Sequence, residues 1–189
     1  MAFLLLGSAG LLAAAAYLHR RHNSAAAATT TTHLHFYMHD AYTGPHPSAM
    51  RVVSGRSLLT SPASSDDSTP LSSSSPRKFG DIVVLNNALT EGPDAGSTRV
   101  GTAQGFAVRV SDRGVVSDLS IHMVLEAGEH RGSSVTVKGR IDMDAVKRES
   151  VVIGGTGRFR FARGYMVSRN YDYSLATGGV VEIDIYLQH

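Results

Sequence analysis

The chain has 189 residues, a formal charge of +2 and no cysteine. That length holds one ordinary domain with a real core plus disposable ends, and the missing cysteines exclude a disulfide framework, a thiolate metal site and a cysteine nucleophile. The basic residues are scattered among acids rather than gathered in a stripe, so nucleic acid is not an expected partner.

In chain order, Ala2 to Ala16 form an apolar run ending in small residues, and further alanines follow at Ala25 to Ala28. The run is shorter than the ~20 residues a spanning helix needs. Residues 1–28 are therefore read as a secretory signal peptide, cleaved near Ala16 or after Ala28. Arg20 and Arg21 follow the run and no basic residue precedes it, an order that also suits a short membrane anchor.

His33 to Asp40 alternates with period two, placing Leu34, Phe36, Met38 and Asp40 on one face. An aspartate closing an apolar face has two readings. It caps the turn through Tyr42, Thr43 and Gly44, or it faces an apolar cavity whose low polarity favours the neutral acid, a general acid in waiting. His33, His35 and His39 share a strand face and could in principle ligate zinc or copper. No fourth ligand stands at a telling spacing, so no metal is expected and the histidines are read as exposed.

Ser57 to Pro76 is dominated by Ser, Pro, Thr and Asp, a composition that cannot bury enough apolar surface to offset its ordering entropy; a flexible loop is predicted. Beyond it, period-two runs predict strands at Asp81–Leu85, Thr102–Val110, Val115–Leu125, Val135–Ile141, Val151–Ile153, Phe159–Val167 and Val180–Leu187. Turn signals separate them at Glu91 to Asp94, Asp112 to Gly114, Gly128 to Gly132 and Thr177 to Gly179. Gly154-Gly155-Thr156-Gly157 reads as a tight strand-turn-strand corner. It has neither the spacing of a dinucleotide fingerprint nor the lysine of a P-loop, which excludes those nucleotide sites. Eight short strands without a long amphipathic helix predict an all-β antiparallel barrel or sandwich. A closed barrel hides its strand edges and offers its interior as the ligand site.

Several blocks, in order, carry a family resemblance: Phe79-Gly80-Asp81; Leu89-Thr90-Glu91-Gly92-Pro93; Val100-Gly101-Thr102-Ala103-Gln104-Gly105; Gly128-Glu129-His130-Arg131-Gly132-Ser133; Gly139-Arg140; and Gly154-Gly155-Thr156-Gly157-Arg158-Phe159-Arg160-Phe161-Ala162-Arg163-Gly164-Tyr165. Together they resemble the plant dirigent family over about Leu34 to His189. The resemblance implies an eight-stranded antiparallel β-barrel, assembled as a homotrimer or dimer and secreted to the apoplast. It implies no cofactor and no oxidative centre of the protein's own. A laccase or peroxidase makes phenoxy radicals from phenols such as coniferyl alcohol, and the barrel orients them so that they couple with one regio- and stereochemistry, as in lignan biosynthesis.

By the same resemblance Asp40 and Arg148 are the polar cavity residues, a carboxyl and a guanidinium that could protonate and orient a substrate oxygen. A surface ion pair is the competing reading for Arg148. Phe36, Met38, Phe106 and Ile141 are the expected substrate-binding positions. Pinoresinol-forming members have an aspartate where Ile141 stands, and Asp142 falls on the opposite face. The family's acidic pair is Asn86-Asn87 here. Two alternatives remain open: a scaffold for oxidases in lignin or Casparian-strip deposition, and a lyase of the pterocarpan-forming kind.

Overall fold

The computed structural model describes residues 30–55, 77–111 and 113–189. The signal-peptide reading of residues 1–28 and the loop reading of 57–76 fall outside them. Within them lie nine strands: β1 (Thr31–Ala41), β2 (Ala49–Val53), β3 (Ile82–Thr90), β4 (Arg99–Arg109), β5 (Val116–Leu125), β6 (Ser134–Asp142), β7 (Arg148–Thr156), β8 (Arg163–Ser174) and β9 (Gly178–Gln188). All pairings are antiparallel, in the order β1-β9-β8-β7-β6-β5-β4-β3, and β1 closes the ring on β3. The result is the predicted eight-stranded barrel. The closing seam is short: Tyr37, Met38 and His39 pair with Thr90, Leu89 and Ala88.

The ninth strand, β2, continues along β3 from where β1 leaves off, pairing Ala49 to Val53 with Leu85 to Ile82. Alternation could not signal it, because every residue of Ala49–Val53 after the first is exposed. Asp81, at the foot of β3, is buried and accepts backbone N–H groups from Lys78 and Gly55, each at 2.7 Å. Against burial, which raises it, these bonds and the Arg51 guanidinium together hold its carboxyl below the usual range. Asp81 thus pins Gly55 and Lys78 to one another.

The corner after β7 differs from the expected strand at Phe159–Val167. A single 3-10 turn spans Gly157–Phe159, and β8 begins only at Arg163. Gly157 takes φ +62°, open to glycine at little cost. Gly155 answers a different need: a Cβ there would stand 2.5 Å from the Ser134 carbonyl oxygen and 2.8 Å from the Phe159 Cβ. That close approach lets Phe159 turn inward, where it is fully buried, while Phe161 is 90% exposed.

The core fills one half of the barrel. Along β5 the inward residues run from Ser117, Leu119 and Ile121, which border an open chamber, to Met123 and Leu125, which join Phe36, Val135, Val137, Phe159, Ile185 and Leu187 in solid packing. Each large side chain buried there contributes roughly 1.5–3 kcal/mol of transfer free energy. The packed end holds the barrel closed, and the hollow end is left for a ligand.

Candidate active site

The chamber has about 630 Å³ of empty space when counted out to and including its open mouth. Its walls are mostly apolar: Met38, Leu119, Ile121, Ile141, Met166 and Ile183. Alternation on β1 delivers Asp40 to it, two positions beyond Met38 and four beyond Phe36.

Asp40 is 8% exposed. Its Oδ2 accepts the Tyr173 hydroxyl at 2.7 Å and its Oδ1 the Asn87 side-chain amide at 3.4 Å. Arg77 Nη2 donates to the Tyr173 oxygen at 3.0 Å, and its guanidinium lies 4.5 Å from the centre of the Tyr42 ring. The result is a donor chain, Arg77 to Tyr173 to Asp40. Burial raises the Asp40 carboxyl above its usual range, against the opposing pull of Tyr173, Arg77, Asn87 and Tyr42. Burial, with the Asp40 and Tyr42 charges next, also pushes the Tyr173 phenol well above its ordinary value. Burial shifts the balance at Asp40 toward the neutral acid, and the protonated form of a carboxyl facing an apolar chamber is a proton donor.

Arg148 opens β7 and lines the same chamber, 4% exposed. It donates Nε to Ser168 Oγ at 3.4 Å and Nη2 to Asn170 Oδ1 at 2.9 Å; burial lowers its affinity for the proton, partly offset by Tyr173. The surface ion pair is excluded for this residue. Nor is Arg148 hydrogen-bonded to Asp40: two strands, β9 and β8, lie between their own strands in the ring, and the carboxyl and guanidinium form separate poles of one cavity.

β8 serves both poles. Ser168 and Asn170 face Arg148, and Tyr173 faces Asp40, an even-to-odd change that regular alternation forbids. A bulge supplies it: Asn170 pairs with Val181 and Asp172 with Val180, leaving Tyr171 over. Tyr171 lies outside, edge-on to Tyr37.

Of the other expected positions, Met38 and Ile141 line the chamber. Phe36 lies deeper, in the packed core. Phe106 is corrected: it is 45% exposed on the outer surface, paired with Val84 and Ser120, and its neighbour Ala107 lines the chamber instead. Asp142 faces outward, ion-paired with Arg140 at 3.0 Å. The histidine face splits. His33 Nε2 and His35 Nδ1 share Asp184 Oδ1 at 2.8 and 2.9 Å, while His39 bonds to Thr90. Ligand atoms of His35, Glu182 and Asp184 lie within 4.8 Å of one another, but Glu182 is taken up by Arg169.

Tyr173, Tyr42 and Arg77 were missed by sequence reasoning. Tyr42 sits in a turn signal and Arg77 at the edge of the Ser-rich segment, where no periodicity speaks. The unequal spacing of Arg169 to Tyr173, with no apolar alternation, was the one hint of the bulge.

The family model described as Dirigent-like protein matches residues 31–188. The chain belongs to the dirigent family. It is 38% identical to Dirigent protein 1 of Arabidopsis thaliana over 158 residues, covering 84% of this chain and 79% of that relative. It is 35% identical to Pterocarpan synthase 1 of Glycine max over 160 residues, with 84% and 78% covered. A solved pterocarpan synthase dirigent protein superposes with a TM-score of 0.73 at 33% identity, covering 85% of this chain and 96% of the other. The dirigent barrel is thus established for this chain by sequence and by shape.

Proposed function

We propose that this dirigent protein is secreted to the apoplast and directs the regio- and stereoselective coupling of phenoxy radicals made by a separate laccase or peroxidase, with monolignols such as coniferyl alcohol as substrates. The observation that carries the reading is the half-hollow barrel, whose apolar chamber holds a carboxyl raised by burial and hydrogen-bonded to Tyr173. Each phenol gives one electron and one proton to the oxidase; in the chamber the two unpaired electrons become one carbon–carbon bond. Orientation is the whole contribution at this step. In the quinone methides that result, a side-chain hydroxyl adds to the methide carbon. Protonated Asp40 supplies the ring oxygen with a proton and regains one from that hydroxyl, so no atom or electron is gained or lost.

A second reading uses the same acid without an oxidase. Asp40 protonates a leaving hydroxyl, water departs, and the ring phenol gives its proton back to Asp40 as the quinone methide forms. An internal phenol then closes a ring on the methide carbon, its proton passing to the quinone methide oxygen, so the net change is the loss of water. The burial-raised carboxyl of Asp40 and the likeness to pterocarpan synthases support it.

The barrel's outer face suits a homo-oligomer, a trimer or a dimer. Val151, Tyr165 and Tyr186 pair in register across β7, β8 and β9 and are all exposed, an apolar row that a second copy would cover.

The test is chiral analysis of coniferyl alcohol coupled by a laccase with and without the protein. An enantiomeric excess seen only with the intact protein, and lost in Asp40→Ala, supports steering. Racemic product with the wild type counts against it, and conversion of a hydroxy-isoflavan without oxidant would establish the second reading.

A further inference from the structure

The chamber carries more positive than negative charge. Its ionisable lining residues, among those described, are Asp40, Tyr42, Arg77, Arg148 and Tyr173. Burial raises both phenols, which keeps them neutral, and raises the Asp40 carboxyl as well. Two guanidiniums therefore face at most one carboxylate.

The two cations differ in their surroundings. Arg77 stands at the Asp40 pole, bonded to the Tyr173 oxygen and packed on the Tyr42 ring. Arg148 meets only the neutral oxygens of Ser168 and Asn170, and its Nη1 has no partner among the described residues although it is sealed from bulk water. A guanidinium does not lose its proton at physiological pH. A permanent buried charge with one N–H group unused and no counter-ion is strongly unfavourable until an anion joins it. The unpartnered Nη1 suits a carboxylate oxygen, which makes a charge-assisted hydrogen bond to it and supplies the missing counter-charge. A neutral alcohol would leave the charge uncompensated.

We infer that the chamber takes a phenolic acid, a phenol whose side chain ends in a carboxylate, with that carboxylate on Arg148, the ring against Ile141 and Met166, and the phenol oxygen toward Asp40 and Tyr173. The inference rests on the phenol-binding reading above and replaces its monolignol alcohol with a phenolic acid. Two poles on one apolar chamber match a rigid ligand with an acid at one end and a phenol at the other.

The experiment is isothermal titration of the full-length protein, without oxidase, against ferulate, methyl ferulate and coniferyl alcohol, with a chiral laccase assay of the alcohol run beside it. Ferulate is expected to bind roughly tenfold to a hundredfold more tightly than the ester or the alcohol. The preference disappears in Arg148→Gln and survives in part in Arg148→Lys, each variant first checked by thermal melting. The wild-type comparison alone decides the matter if neither variant folds. Equal affinity for all three ligands overturns the inference, and an enantiomeric excess from the alcohol would then leave radical steering standing. No binding of any ligand, with racemic product, overturns both together.

Discussion

The Tyr173 hydroxyl, 133 positions along the chain from Asp40, donates to its Oδ2 at 2.7 Å, and it does so while Ser168, on the same strand, faces Arg148. Removing the donor tests the relationship. The bond favours the ionised carboxylate, so Tyr173→Phe raises Asp40 further. If the protonated acid acts, the alkaline limb of the pH profile of enantiomeric excess moves to higher pH in the variant, at a cost of about 1 kcal/mol in stability. An unmoved limb removes Asp40 from the proton step.

Asp40 itself leaves a mark on stability. Burial raises its carboxyl above the ordinary 3.8, so between 3.8 and the raised value the native chain holds a proton that the unfolded chain has released. Stability from this group is complete below 3.8 and declines as pH rises through the native value. Asp40→Asn keeps an acceptor for Tyr173 and carries no charge. It is expected to melt above the wild type at pH 7, with the gain vanishing near pH 3; a constant difference across that range would contradict the burial argument.

The two phenylalanines of the corner should behave oppositely. Phe159 is fully buried and Phe161 is 90% exposed. Phe159→Ala is expected to cost about 3–5 kcal/mol by urea denaturation, and Phe161→Ala to stay within about 0.5 kcal/mol of the wild type. Similar losses from both would mean that the turn is set differently.

Gly155 has no room for a methyl group, with the Ser134 carbonyl 2.5 Å from where its Cβ would stand. Gly155→Ala is expected to cost about 1–3 kcal/mol or more, read as a lower denaturation midpoint at unchanged slope. A neutral result would show that β6 and β7 can separate at the corner without penalty.

How much of this was legible in the sequence follows from which residues obey a simple period. His33 to Asp40 alternates cleanly, so the inward face of β1 could be read directly, while the choice for Asp40 between a turn cap and a cavity acid stayed open. Phe106 could not be placed, because Thr102–Val110 mixes apolar residues on both faces, Ala103 and Ala107 inward, Phe106 and Val108 not. The partners of Asp40 depend on Tyr173, whose orientation is set by a bulge in β8 that shifts its register against the neighbouring β9, a property of two strands together. Arg148 stood in the sequence as a cavity arginine by resemblance; its unused Nη1 exists only once Ser168 and Asn170 are packed around it.

The surplus residue at Tyr171 makes β8 forgiving at one place and unforgiving elsewhere. Shortening the chain by that residue would let Asn170, Asp172 and Tyr173 follow one another in plain alternation, with the phenol still directed at Asp40. The same deletion between Met166 and Asn170 would exchange the strand's inner and outer side chains on one side of the cut. Length variation among descendants of this chain can therefore accumulate at the bulge without altering what a bound phenol encounters.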